Sequence, residues 1–334
     1  MRPWVAAASG AVVVVGFLFW FGGVLGFADA RLDLLNLAMP AYASIVGACG
    51  LAVFLLRPRN RLTQVVVGLA LCVTILAGTP VAVEFISGLG GRLGSPIGRP
   101  GDLRLLSLNL WDANPDINGS EAAILRSDAD VVTLQEALKL HISASPEFRR
   151  RYPYKATCAT SWGCEIVIFS KTPIRASGSL STGDRSDIGG LWLVWVDVVA
   201  PDDRPVRIVS THLAHPDRDR DQPRQWRVLQ AYLGALSGGS DRLILTGDFN
   251  TTPWSYSLRS NEGRLRPLTR RTHAVYTWPR ARTSIVPAPF PLLPLDQLFA
   301  GPDWKTVSVR RLKTPSDHYG VLAVFRSVQR VQAR

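Results

Sequence analysis

A chain of 334 residues is too long for one core and has room for a catalytic-size domain of about 200 to 250 residues beside a second region. The formal net charge of +12 is a mild excess that fits an anionic substrate or an anionic membrane surface and by itself selects neither. The first hundred residues carry seven Arg, no Lys and three acids, which leaves 31 basic and 23 acidic residues to the polar remainder.

Three apolar runs fill the N-terminal third: Trp4 to Phe27, Leu35 to Leu56 and Val65 to Ile86. Each reaches the roughly 20 residues a bilayer-spanning helix needs, and none has a charge near its centre. A cleaved signal peptide would account for the first run only. Arg2 precedes the first run, and Arg57, Arg59 and Arg61 crowd the loop between the second and third, whereas Arg31 in the other loop is set against Asp29 and Asp33. Positive charge is retained on the cytoplasmic side, so the N-terminus is expected inside and everything from Gly101 onward outside. Glu84 falls at the outer end of the third run, and Cys49 and Cys72 read as small packing residues.

Gly88 to Gly101 is rich in Gly and Pro and reads as a tether. Short aliphatic or β-branched runs then alternate with polar stretches: Leu103 to Leu110, Val131 to Gln135, Glu165 to Ser170, Leu191 to Val199, Val206 to Thr211, Arg242 to Gly247, Leu295 to Ala300, Val307 to Leu312 and Gly320 to Phe325. Many strands with fewer helices predict an α+β or layered α/β domain. The clearest helix starts near Gln222, carries Trp226, Leu229, Leu233 and Leu236 on one stripe, and stops at Ser237-Gly238-Gly239.

Polar groups end several of the apolar runs. In order they are Ser107-Leu108-Asn109, Leu134-Gln135-Glu136, Ser210-Thr211-His212-Leu213, Thr246-Gly247-Asp248-Phe249-Asn250, Leu295-Asp296-Gln297 and Ser316-Asp317-His318. A Gly-Asp-x-Asn at a strand tip is also what an Asp-rich turn looks like, so one group alone says little. As an ordered set they resemble the endonuclease/exonuclease/phosphatase superfamily, over about Leu103 to Phe325.

That resemblance implies a four-layer α/β sandwich, two packed mixed sheets flanked by helices as in deoxyribonuclease I, behind N-terminal transmembrane helices. The organisation expected is three transmembrane helices in 1–87, a linker in 88–101, the catalytic domain in 102–327 and a basic tail in 328–334. It also implies hydrolysis of a phosphate ester, which needs a cation on the phosphoryl oxygens, a group that orients water and donors that strengthen as charge develops. Glu136 is then the principal metal ligand, with Asn109 and Asp317 completing or supporting the site. Mg²⁺ or Mn²⁺ is expected, because only oxygen ligands are offered. Asp248 is the candidate base or water-orienting group and Asn250 holds a phosphate oxygen or the water. His212 and His318 face the scissile phosphate, with Asp296 orienting His318 and raising its pKa.

The chain departs from relatives at Trp111, where an acid is common, and at Gln297, where His or Tyr is common; Asp112 could substitute for the missing acid only through a turn. Thr251 to Ser255, Tyr276 to Pro279 and Val286 to Pro294 resemble a membrane-tethered bacterial branch of the superfamily. Trp254, Trp278 and Phe290 are candidates for a lipid-facing or stacking rim, with ordinary loop packing as the alternative. Arg270, Arg271, Arg280 and Arg282 are candidates for a second phosphate or lipid headgroups, with a solvated basic face as the alternative. Cys158 and Cys164 can form a disulfide in an extracytoplasmic domain or remain free thiols.

Two functions fit. One is a membrane-anchored phosphoesterase of the bacterial plasma membrane, multi-pass with an extracytoplasmic catalytic domain, acting on a lipid-linked phosphate, a pyrophosphate or a phospholipid. The other is an extracytoplasmic nuclease on the same scaffold, for which the basic excess and the aromatics would serve nucleic acid.

Overall fold

The computed structural model describes residues 3–56, 60–92, 98–138, 140, 144–158, 165–181, 190–216, 221–236, 240–280 and 290–328. Contacts divide the chain into two compact units. One is Met1–Ile86 with Pro216–Asp219 and Thr251–Asn261; the other is Ser87–His215, Arg220–Asn250 and Glu262–Arg334.

Long helices dominate the first unit: α1 (Pro3–Val24), α2 (Met39–Leu56) and α3 (Arg61–Arg92). The segments Trp4–Phe27, Met39–Leu56 and Arg61–Leu89 are long and apolar enough to cross a membrane. Leu18, Leu51, Leu55, Leu71 and Ile75 stand exposed on them, as side chains meant for lipid do. Where helices meet, side chains are small: a Cβ on Gly16 would overlap Val46, and one on Gly50 would overlap Ala70. Close backbone approach of this kind replaces the hydrophobic drive that lipid removes. Glu84 is buried, not presented at an interface.

Between α1 and α2 the chain makes short turns that bury Asp33. Its two carboxylate oxygens accept from the amides of Tyr256 at 2.7 Å and Ser257 at 2.9 Å. Those amides open a short helix, Tyr256–Glu262, and have no partner within it. An acid from the first inter-span loop therefore caps a helix 223 residues further on.

Twelve described strands build two six-stranded sheets in the second unit, with orders β11-β12-β1-β2-β4-β3 and β5-β6-β7-β8-β10-β9. Their ranges are β1 Leu103–Asn109, β2 Val131–Gln135, β3 Tyr154–Thr157, β4 Val167–Ser170, β5 Ile174–Ser181 and β6 Trp192–Val199, then β7 Pro205–His212, β8 Leu243–Asp248, β9 Thr269–Arg270, β10 Asp296–Ala300, β11 Trp304–Leu312 and β12 Gly320–Ser327. The pairs β1/β2 and β7/β8 are parallel and the others antiparallel, so both sheets are mixed.

Alternation along each strand builds the layers. Leu105, Val131 and Ile168 of one sheet share a core with Val196, Ile208, Ile244 and Leu298 of the other. Leu106, Leu108, Val132 and Leu134 turn the opposite way onto Ile124 of α4 (Ile117–Ser127) and Phe148 of α5 (Pro146–Arg151). A further helix, α6 (Asp221–Ala235), buries Trp226 and Leu229, and the Trp226 ring lies 5.4 Å from that of Phe249 just past β8. The architecture is the four-layer sandwich the sequence implies.

Toward one end of the sandwich the core turns polar. Thr133 and Thr246 hydroxyls lie 2.7 Å apart across the sheets, Thr246 also meets Ser107 at 3.1 Å, and the Gln135 amide donates to Ser210 at 2.9 Å. All five are fully or almost fully buried, so these bonds are obligatory rather than decorative.

Asp33→Ala removes the acceptor for both amides and is expected to cost about 1 kcal/mol, as a lost helix cap does. Amide hydrogen exchange checks it: protection at Tyr256 and Ser257 should fall while that of α2 holds.

Candidate active site

Strand register brings the polar groups together. Parallel pairing sets Asn109 beside Gln135, whose neighbour is Glu136, and His212 beside Asp248. Antiparallel pairing sets Asp296 opposite Asp248. Asp317 and His318 arrive on the loop between β11 and β12, held where Ser316 Oγ donates to the Asn109 carbonyl at 2.7 Å.

Special backbone conformations aim these side chains. Trp111, Glu136 and Asn250 have φ of 63°, 49° and 49°, in the sparsely populated left-handed region where strain collects at functional sites. Gly247 has φ of 150°, and a Cβ on it would overlap the Thr211 carbonyl oxygen, so β7 and β8 reach this register only with glycine there.

Asp248 is the centre of the arrangement and is almost fully buried. Its Oδ2 accepts from Asn109 Nδ2 at 3.0 Å and its Oδ1 from the Asn250 amide at 2.8 Å. Nε2 of His212 and Nε2 of His318 each lie 3.8 Å from Oδ2. Burial opposes its charge, but the two imidazoles and these donors prevail and hold its pKa below the usual carboxylate value. Asn250 Nδ2 donates to the Leu213 carbonyl at 2.8 Å and lies 3.2 Å from His212 Nε2.

His318 Nδ1 sits 2.8 Å from Asp296 Oδ2. Burial alone would discharge the ring; Asp296 and Asp248 overcome it and raise its pKa to about 10, so it is an imidazolium at neutral pH. Asp296 itself is raised, chiefly by burial, and its Oδ1 is buried with no hydrogen-bond partner.

Glu136 lies at the open side of this group. Oε1 accepts from Asn109 Nδ2 at 2.8 Å, Oε2 from the Asp112 amide at 2.9 Å, and His212 Nε2 is 3.8 Å from Oε1. Asp112 thus contributes its backbone, through the turn at Trp111. Asp317 is raised by burial, with Glu136 and Asp248 close enough to add to the shift, and its Oδ2 accepts from Trp278 Nε1 at 3.1 Å. The eight predicted site residues therefore meet in one cluster.

Two groups of residues could hold a cation. Asp248, Asp296 and His318 offer atoms within 4.8 Å of one another. There, however, His318 Nδ1 is engaged by Asp296, and the imidazolium repels a cation. Glu136 fits better: its side chain is partly exposed, and among the described residues each of its oxygens accepts one hydrogen bond, which leaves lone pairs for a cation. Asn109 Oδ1 takes the Trp111 amide at 2.9 Å and keeps its second lone pair, while its amide bridges Glu136 and Asp248. Together with Asp317 this is an all-oxygen donor set, the chemistry of a hard divalent ion.

Some features differ from the sequence expectation. Trp254 is fully buried and forms no exposed rim, whereas Phe290 is 60% exposed. Arg270 is buried, paired with Glu262 at 3.1 Å, and Arg280 donates to the Ser316 carbonyl at 3.1 Å, so neither is a solvated basic face. Arg282 and Cys164 lie outside the described residues, while Cys158 is buried and disulfide-bonded. Sequence reasoning missed Glu165, whose half-buried carboxyl is raised by burial and by Glu136. It also missed Trp278 as the donor to Asp317, and Ser316, which stood in the Ser-Asp-His group unremarked.

A sandwich of two mixed sheets with buried carboxylates, imidazoles and an oxygen-rich rim at one end defines a phosphate ester hydrolase. A family model described as the Endonuclease/Exonuclease/phosphatase family matches residues 106–318, and the chain belongs to that family, whose members are hydrolytic and generally divalent-metal dependent. Among solved structures, the endonuclease/exonuclease/phosphatase from Bacteroides vulgatus has TM-score 0.56 at 16% identity, covering 68% of this chain and 99% of that one. TDP2 of D. rerio, complexed with a single-strand DNA product, has TM-score 0.54 at 14% identity, covering 68% and 99%. The human Nocturnin catalytic domain with bound sulfate has TM-score 0.53 at 16% identity, covering 69% and 95%. At these identities the likeness is one of fold. No curated protein sequence matches the chain.

Glu136→Gln is expected to weaken Mg²⁺ or Mn²⁺ binding at least about ten-fold, because one formal charge leaves an oxygen-ligand site. Isothermal titration reads this without turnover; unchanged affinity would move the cation site elsewhere. Asp296→Asn is expected to lower kcat on a chromogenic phosphodiester by about 10²-fold, the scale of a lost acid–base contribution, and to bring the His318 titration down, read by NMR.

Proposed function

We propose that the chain is a membrane-anchored phosphoesterase of the bacterial plasma membrane, with its N-terminus in the cytoplasm and residues 102–327 outside. Residues 88–101 would link this domain to the spans and 328–334 form a basic tail. The substrate is a phosphate or pyrophosphate ester carried by a lipid. One observation carries this reading: the same chain holds three helices able to cross a bilayer and a phosphoesterase site. A site tethered beside a membrane meets the lipids of that membrane at high effective concentration, without further affinity.

Glu136 would be the main ligand of Mg²⁺ or Mn²⁺, supported by Asn109 and Asp317; the bound cation neutralises charge on the phosphoryl oxygens. Asp248, ionised and fixed by Asn109 and the Asn250 amide, orients the attacking water in line with the leaving group. Its lowered pKa suits positioning more than strong proton abstraction. Asn250 holds a phosphate oxygen or the water, and His212 and His318 donate to the non-bridging oxygens. Asp296 keeps His318 charged as negative charge builds on phosphorus.

A nuclease on the same scaffold is the alternative; the D. rerio relative was solved with a DNA product, and the net charge of +12 would suit a polyanion. The full chain, reconstituted in liposomes with Mg²⁺, should release phosphate from polyprenyl pyrophosphate or hydrolyse phospholipid, and lose this in Asp248→Ala. Cleavage of plasmid DNA that is lost in Asp248→Ala, with no lipid turnover, would overturn the lipid reading. A periplasm-active reporter fused after Arg334 should be active; activity only of a cytoplasmic reporter would reverse the orientation.

A further inference from the structure

Beyond the catalytic cluster the second unit contains a cavity of about 690 Å³, walled by residues 270–276, 290–291 and 306–311 and by Ser87 and Gly88. Among the described residues no carboxylate lines it, while Arg270, Arg271, Arg310, Arg311 and His273 do. Arg270 is neutralised by Glu262. Among the described residues, Arg271, Arg310 and Arg311 make no ion pair; Arg271 donates to the Ala300 and Trp304 carbonyls and Arg311 to the Tyr276 carbonyl. Carbonyls orient a guanidinium without cancelling its charge. Arg271 Nε is moreover buried with no acceptor, an orphaned donor in the cavity wall. Arg310 and Arg311 are exposed; as neighbours on β11 they turn to opposite faces of its sheet, Arg311 to the side of Val321 and the inter-sheet core.

What borders the cavity gives the ligand its second half. Ser87 and Gly88 are among the last residues of the third apolar segment, Arg61–Leu89. A Cβ on Gly88 would overlap Ala274, so the end of that segment packs directly on the cavity wall. Phe290 on the wall and Leu89 next to Gly88 are 60% and 45% exposed. A basic cavity against the end of a membrane-crossing helix, rimmed by exposed apolar side chains, matches a molecule with a phosphate at one end and acyl chains at the other.

We propose that this cavity binds the headgroup phosphate of an anionic phospholipid, as a site separate from the catalytic one. The planar guanidinium groups of Arg271 and Arg311 take the phosphate, whose oxygens their fork geometry suits, and the acyl chains leave past Phe290 and Leu89. The wall segment also touches the catalytic cluster from behind: Tyr276 lines the cavity, Thr277 Oγ1 accepts from the Leu295 and Asp296 amides at 3.3 and 3.4 Å, and Trp278 holds Asp317. The inference rests on the membrane anchoring proposed above and not on the substrate assignment.

The test uses the full chain carrying Glu136→Gln, in neutral detergent with a chelator, so that catalytic binding and turnover do not contribute. Dihexanoyl phosphatidylglycerol, dihexanoyl phosphatidylcholine and inorganic phosphate are titrated separately, reading the rise in Tm. Phosphatidylglycerol should bind at least about ten-fold more tightly than phosphatidylcholine, and Arg310→Ala with Arg311→Ala should remove that preference. Arg310→Lys with Arg311→Lys should restore part of it. Equal affinity for the two lipids, or a preference that survives the double Ala variant, overturns the site. Phosphate binding as tight as phosphatidylglycerol, with the same dependence on arginine, overturns the lipid and leaves a free anion. If the double Ala variant has lost its unfolding transition, Arg311→Ala alone decides by the same criterion. Carbonate extraction of the full chain from membranes tests the anchoring independently.

Discussion

Everything at the site depends on keeping one carboxylate, Asp248, charged inside a protein. A buried carboxylate without compensation would take up a proton instead of paying for desolvation. Here four groups make the charge tolerable: the Asn109 amide, the Asn250 backbone N–H, and the Nε2 atoms of His212 and His318 at 3.8 Å. Each of these has its own support. Asn109 is also tied to Glu136, Asn250 to the Leu213 carbonyl, and His318 to Asp296. The charge is thus distributed over an alternating set, acid, imidazole and acid, in which removing any member leaves a neighbour uncompensated. Buried ionic groups of this kind are weak contributors to stability when intact and costly when broken, which points to chemistry and not to folding as the reason they are there.

The fold supplies the geometry by changing character along its strands. In the interior of the sandwich the facing residues are Leu105, Val196, Ile208 and Ile244, which ask only for contact. Toward the site they become Ser107, Thr133, Gln135, Ser210 and Thr246, which ask for partners at fixed distances. A polar seam between two sheets fixes their offset more sharply than an oily one, since hydrogen bonds have narrow tolerance in distance and angle. The strand tips inherit that offset. Gly247 adds a second constraint, because β7 and β8 lie too close there for any side chain.

Much of this was legible in the sequence. Nine strands were written as apolar runs with clear ends, and β2, Val131–Gln135, matched to the residue because Asp130 and Glu136 bound it on both sides. The strands that escaped are of a different kind. β3 exposes Tyr154 and Lys155, β5 reads Ile-Arg-Ala-Ser-Gly-Ser-Leu-Ser with little buried, and β9 has two residues. All three lie at sheet edges, where one side of the ladder is unpaired and the alternation that betrays a strand is weak. Likewise the site acids and histidines could be named, since each stands in a polar group beside or between apolar runs. Trp278 and Glu165 could not, because their parts depend on which loop folds back over which strand. Of the two readings open for Trp254, ordinary loop packing holds, because tertiary packing covers an indole that a polar loop alone would leave exposed.

The N-terminal region is more than a tether in its chemistry. A simple anchor needs apolar length and flanking positive charge, both of which the first hundred residues have. It does not need Asp33, an acid buried between two long apolar helices, whose carboxylate accepts from the first two amides of the helix Tyr256–Glu262. That helix begins only six residues after Asn250 in the chain. A buried acid in a membrane-associated loop is expensive unless fully satisfied, and here Asn36 Nδ2 at 2.7 Å completes the set of donors. The same economy appears where Gly88, at the end of the third span, packs on the backbone of His273 and Ala274. Asp33 and the helix it caps belong to one compact unit, and Gly88 with His273 and Ala274 to the other, so each contact is a matter of packing within its own unit.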